Sequence, residues 1–126
     1  MNEKELLELA AKAADISICE WIYDEQLEHW LGAGVNSEGA TVYWNPILDD
    51  GEAFRLAVSL NMRIDILDFT GYAIAKARRP DSIECSEYFL TDFNGKKIDP
   101  CAATRVAIVR AAAEIGKMML TNKQPQ

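Results

Sequence analysis

Tyr43-Trp44-Asn45-Pro46-Ile47-Leu48-Asp49-Asp50-Gly51-Glu52-Ala53-Phe54-Arg55-Leu56-Ala57 joins the end of a strand to the start of a helix within fifteen residues. Thr41 to Trp44 is β-branched and aromatic, as strands are. Asn45-Pro46 ends it, because proline holds the preceding residue extended and has no N–H to give a ladder. Asp49 predicts a helix cap, and Glu52, three residues on, closes a capping box. Ala53, Leu56, Ala57 and Leu60 make one apolar stripe that reaches about Asn61. Phe54 and Val58 widen it, and only Arg55 and Ser59 are left for water, so this helix is expected to be largely buried.

Upstream, Leu6, Leu7, Leu9, Ala10, Ala13 and Ala14 recur at helical spacing, with Glu3, Lys4, Glu5, Glu8 and Lys12 between them. Asn2 is the predicted cap of this first helix, over Glu3 to Ala14, and Glu5 its box partner. Ile16 to Tyr23 reads as a strand. Asp24 to Gly39 is polar and carries Gly32, Gly34 and Gly39, so it reads as a long turn or loosely ordered hairpin that Trp30 and Leu31 pin to the core. Downstream, Met62 to Phe69 alternates as a half-buried strand should, and Thr70-Gly71 turns it into Tyr72 to Ala77. Arg78 to Asp81 is a loop, Ile83 to Leu90 a strand, and Asn94-Gly95 a turn. Asp99-Pro100 opens the last helix, with a cap followed by proline at the first helical position, and the helix runs to about Leu120.

The order helix, strands, helix, strands, helix predicts an α+β fold. The expectation is a mainly antiparallel sheet of about four to five strands packed against three helices, in one domain over 1–120 with a frayed polar tail over 121–126.

A chain of 126 residues, 49% hydrophobic and 26% charged, has the composition of a soluble globular protein and no apolar run long enough for a membrane span. Met1-Asn2-Glu3-Lys4-Glu5 is charged and lacks the layout of a signal peptide. A formal net charge of −7 excludes general nucleic-acid binding, which needs a surface that neutralises phosphate. It is compatible with a basic protein surface as partner. Three cysteines, Cys19, Cys85 and Cys101, form no disulfide pattern and read as mostly buried thiols of a reducing, cytoplasmic compartment.

No catalytic or cofactor motif is present, and the reading is non-enzymatic. A zinc site of Cys19, Cys85, Cys101 and His29 would lack the close ligand pairs that structural sites favour, so no metal is expected. Asp24-Glu25, Asp49-Asp50 and Asp65 with Asp68 are paired carboxylates of the kind acid–base chemistry uses. Asp49-Asp50 already has work to do at a helix N-terminus and would repel a phosphate there. Lys76, Arg78, Arg79, Lys96 and Lys97 are the local basic surplus, able to form a small anion pocket if their strands are neighbours. Arg105 and Arg110 interrupt an alanine-rich helix, and a partly buried arginine calls for a carboxylate or a ligand anion; the Asp49-Asp50-Glu52 cap is the expected partner of Arg105. Trp21, Trp30, Tyr43 and Trp44 cluster in the first third, as core or as a partner or base platform. Ligand- or partner-binding candidates are therefore Trp44, Asn45, Arg105, Lys76, Arg78 and Arg79.

Tyr43-Trp44-Asn45-Pro46 with Asp49-Asp50-Gly51-Glu52-Ala53-Phe54-Arg55-Leu56-Ala57-Val58 resembles small accessory proteins of tailed bacteriophages and prophages, and is similar to the NinX-like proteins of lambdoid phages. Asp99-Pro100-Cys101-Ala102-Ala103-Thr104-Arg105-Val106-Ala107-Ile108-Val109-Arg110-Ala111 looks like their closing helix. The resemblance covers roughly a third of the chain and leaves 62–98 unmatched. It implies phage or prophage origin and a place in the host cytoplasm, and it brings no catalytic residue. The expected function is a phage accessory protein that binds a host or phage protein. The alternative is a protein that binds or sequesters a small, nucleotide-like ligand, and a homo-oligomer stays open.

Overall fold

The computed structural model describes residues 1–67, 71–77, 82–89 and 99–122, with side chains up to 120. The elements are α1 (Glu3–Ala13), β1 (Glu20–Asp24), β2 (His29–Val35), β3 (Thr41–Trp44), α2 (Asp50–Ser59), β4 (Arg63–Leu67), β5 (Tyr72–Ala77), β6 (Ile83–Tyr88) and α3 (Pro100–Asn122). The fold is α+β with three helices and antiparallel strands, as expected. The strands do not form the expected single sheet of four to five. They form two three-stranded meanders, β1-β2-β3 and β4-β5-β6.

The middle strand of the first sheet comes from the segment read as a long turn or loosely ordered hairpin. β2 runs through Gly32 and Gly34, the residues that argued for a loop. Glycine in a strand marks close approach: a Cβ on Gly32 would stand 2.9 Å from Ile18 Cδ1, and one on Gly34 would stand 3.2 Å from the Ser17 carbonyl oxygen. The turns on either side are held by side chains. Asp24 Oδ1 accepts from Leu27 N, and Asn36 Oδ1 accepts from Glu38 N and Ala40 N. β1 starts four residues later than the strand predicted from Ile16, which lies before the ladder.

All three helix starts follow the sequence. Asn2 Oδ1 accepts from Glu5 N at 2.8 Å, Asp49 Oδ2 from Glu52 N at 2.8 Å, and Asp99 Oδ1 from Cys101 N at 3.0 Å. α3 extends two residues past Leu120, to Asn122. The Thr70, Asn94-Gly95 and Leu90 expectations, the Arg78-to-Asp81 loop and the tail over 123–126 lie outside the described residues.

α3 is the central element, packed along α1, α2, β5 and β6. Its alanines let neighbours approach closely. Ala107, Ile108, Val109, Ala111 and Ala112 meet Leu7, Ala10, Ala53, Leu56, Ala57 and Ala75 in one buried cluster. Gly116 sits where α1 crosses, and a Cβ there would be 2.1 Å from the Leu9 carbonyl oxygen. Trp21, Trp30 and Trp44 of the first sheet pack against the edge of this cluster.

α2 corrects the sequence reading most. Ala53, Leu56 and Ala57 are buried, but Phe54 is 69% and Val58 58% exposed. The apolar width of this helix is therefore partly surface. The cysteines correct it too: Cys19 and Cys101 are exposed and Cys85 is half-buried, all three as free thiols.

Candidate functional site

Asn45 is the joint between the first sheet and α2. It is 3% exposed. Its Nδ2 donates to the Trp30 carbonyl at 2.7 Å, its Oδ1 accepts from Ile47 N at 2.8 Å, and its backbone N donates to Glu52 Oε2 at 2.8 Å. The reciprocal half of the α2 capping box thus reaches Asn45 instead of the cap residue. These bonds fix the angle at which α2 leaves the sheet.

That angle opens a cleft of about 690 Å³ between the first sheet and one flank of α2. Its walls are apolar: Ile16 and Ile18 from the segment before β1, Val42 and Trp44 from β3, and Leu56 from α2. Gly32 and Gly34 add bare backbone from β2. Glu52, Arg55 and Ser59, on successive turns of α2, bring polar groups to it. Burial pushes the Glu52 carboxyl above the ordinary carboxylate range; the Asn45 N–H pulls it partly back, the nearby Asp49 charge raises it further and Arg55 lowers it. Arg55 is exposed and forms no ion pair with a described residue. Tyr43 and Val35, both largely exposed, continue the apolar surface beyond the cleft.

On the other flank of α2 lies a groove of about 380 Å³ between α2, β4 and the first turns of α3. Ala53, Phe54, Ala57, Ile64, Ile66 and Ile108 line it. Arg105 and Asp50 close one end: Arg105 Nη1 donates to Asp50 Oδ1 at 2.6 Å, and its Nε donates to the Ile47 carbonyl at 2.6 Å. The expected partner in the α2 cap is thus Asp50. A guanidinium bonded to a carboxylate and a carbonyl is a strut between α3 and the proline turn.

Among the described residues, the remaining basic candidate lies elsewhere. Lys76 lies in β5 and pairs with Asp65 at 3.6 Å and Glu84 at 3.4 Å. It borders a separate hollow with Arg63, Met62 and Ile83. Arg78, Arg79, Lys96, Lys97 and Asp68 lie outside the described residues; of the expected basic pocket only Lys76 is described, and it is paired with two carboxylates. Trp44 is the one candidate that lines the cleft. His29 sits in β2, its Nδ1 2.5 Å from Glu3 Oε2, while Glu3 Oε1 accepts from Trp30 N at 2.6 Å. Arg110 is held by Glu87 and the Ser86 carbonyl. Among the described residues no cluster of histidine, cysteine and acids could hold a metal ion, and no helix is long and apolar enough to cross a membrane.

Sequence reasoning passed over Arg55, Gly32 and Gly34. The signal for the glycines was there: two glycines two apart fall on the same face of a strand. Compared with family models, with curated proteins and with solved structures, the chain matches none.

Proposed function

We propose that this chain is a non-enzymatic accessory protein that binds another protein through the cleft between the first sheet and α2. The carrying observation is the combination there of apolar walls and Arg55, which has no ion pair among the described residues. Apolar hollows rimmed by a few polar groups are what partner anchors fill. The complementary anchor is a large apolar side chain followed by an acidic one that reaches Arg55. The likeness of the Tyr43-to-Val58 and Asp99-to-Ala111 blocks to NinX-like proteins supports a phage or prophage setting and the host cytoplasm as the place of action.

The test is a benzophenone amino acid in place of Tyr43, photolysed in a bacterial host. The expected result is one discrete protein adduct, weakened several-fold by Arg55→Glu. Loss of the adduct cannot then be blamed on folding, because Arg55 is exposed. No discrete adduct, or one indifferent to Arg55, defeats the reading.

A second reading uses the same cleft for a small anionic ligand such as a nucleotide, with Trp44 as apolar wall and Arg55 on the phosphate; its volume suits one. Native mass spectrometry of purified protein separates the two. A bound small molecule lost in Arg55→Glu favours the ligand, and a bare mass favours the protein partner.

A further inference from the structure

β4 forms one edge of the second sheet, and among the described residues its ladder partner is β5 alone. Exposed edges are usually blunted by proline, bulges or inward charges, because unpaired N–H and C=O groups invite another strand. β4, Arg63-Ile64-Asp65-Ile66-Leu67, has no proline. Its charges share one face, and Ile64 and Ile66 share the other. Ile66 is 51% exposed, and Phe54 of α2 lines the same groove with its face uncovered. A strand added to this edge would slide its inward side chains under Phe54.

The sequence of β4 says which strand fits. Two copies pairing antiparallel must keep apolar opposite apolar, so the two-fold axis passes through a residue and not between two. Centred on Asp65, the pairing puts two carboxylates directly opposite, which is unfavourable. Centred on Ile66, it sets the Asp65 carboxylate against Leu67, which offers it nothing. Centred on Ile64, it sets Arg63 against Asp65 twice on one face, and Ile64 against Ile64 and Met62 against Ile66 on the other. Within its own sheet Arg63 lies across from Lys76, a like charge, and both share the one Asp65 carboxylate, at 3.4 Å from Arg63 and 3.6 Å from Lys76. The Asp65 of a second copy would set an opposite charge across from it. The other edge of this sheet, β6, carries Glu84 and Glu87 and no basic residue, so it offers itself no such match.

We propose that the chain forms a symmetric dimer through β4, antiparallel about Ile64, joining two three-stranded sheets into one of six. A two-fold axis perpendicular to the sheet keeps both α2 helices on one face. Phe54 of each then lies over the join and loses its exposure. The cleft that holds Arg55 is on the opposite flank of α2 and stays open, so the dimer does not depend on the partner proposed above.

The experiment is sedimentation velocity over a wide concentration range, with circular dichroism melting to confirm folding. The wild-type chain should be a concentration-dependent dimer. Arg63→Asp and Asp65→Arg should each raise the dissociation constant at least tenfold, because each faces like charges across the join. Mixing those two variants should restore association as a heterodimer, since positions 63 and 65 are both acidic in one and both basic in the other. The double swap Arg63→Asp with Asp65→Arg should likewise dimerise. Phe54→Glu, at a site already in water, should weaken the dimer without harming the monomer. A wild-type monomer at all concentrations overturns the proposal. So does a dimer indifferent to the charge variants, or single variants that stay apart when mixed although both remain folded.

Discussion

Arg105 gives the sharpest test of how the two blocks of the fold are joined. Its side chain is 17% exposed, whereas that of Asp50 is 71% exposed. The two bonds it makes should therefore differ in strength. Arg105→Met keeps most of the stem's packing but leaves the Ile47 carbonyl without its donor; a stranded, partly buried acceptor costs about 1–2 kcal/mol. The pair with Asp50 is open to water on one side, which holds it to about 0.5–1 kcal/mol. Asp50→Ala loses that pair and the favourable carboxylate at the N-terminus of α2, itself worth about 0.3–1 kcal/mol. For 126 residues the unfolding entropy near the midpoint is about 0.26 kcal/mol/K, so each 1 kcal/mol moves Tm by about 4 °C. Arg105→Met should lower Tm by about 8 °C and Asp50→Ala by about 4–6 °C. The double variant should fall short of the sum by about 0.5–1 kcal/mol, measured by urea unfolding of all four proteins. Additivity to within about 0.3 kcal/mol would refute the strut and return Arg105 to the group of residues available to a ligand.

Ile108→Asp places a carboxylate in the buried cluster without a partner, at several kcal/mol, and should abolish folding; a cooperative melt near the wild-type Tm would mean that the cluster is misplaced. Gly116→Ala should lower stability by about 1–3 kcal/mol although alanine is the better helix former, because its Cβ would press on the α1 backbone; a rise in Tm would show that the two helices do not cross there. Burial holds the Glu52 carboxyl above its ordinary range, so the folded chain takes up a proton more readily than the unfolded one, and stability falls as pH rises through that window. Glu52→Gln keeps an oxygen for the Asn45 N–H and should flatten that slope; an unchanged slope in Tm against pH would show that Glu52 is not the group responsible.

The parts of this fold that chain chemistry determines locally were legible. Asn2, Asp49 and Asp99 cap helices where their spacing to Glu5, Glu52 and Pro100 said they would, since a cap is settled within one turn. The pairing of Arg105 with the α2 cap was legible for a different reason: a guanidinium cannot shed its charge, so its burial demands an anion, and the nearest resembling block offered one. What failed was whatever a ladder decides. Gly32 and Gly34 have poor strand propensity, yet β2 is the middle strand of its sheet, and Ile18 and the Ser17 carbonyl approach the two glycines closely. Strand propensity reports packing against neighbours, and those neighbours were not in view. The division into two sheets has the same origin. Nothing in the alternation of Met62 to Leu67 says whether that strand joins the first meander or begins another.

Phe54 and Val58 carry the lesson about function. Apolar residues at helical spacing are read as core because most of them are, and Ala53, Leu56 and Ala57 obey that rule. The same helix turns a second apolar strip outward, and hydrophobicity alone does not tell the two apart. The asymmetry comes from how far α2 stands from what surrounds it. Asn45 and Pro46 fix one end of α2 against the first sheet, Arg105 and Asp50 fix it against α3, and the short link through Met62 fixes the other end beside β4. A helix pinned at these three places cannot roll to bury Phe54, so the exposed strip is a consequence of the joints and not of slack packing. Loosening a joint should then have a signature that deleting the strip does not. Arg105→Met should change the accessibility of Phe54 and the stability together, whereas Phe54→Glu should leave stability nearly untouched and remove only association. That separation is what distinguishes a surface kept for a partner from a core left unfinished.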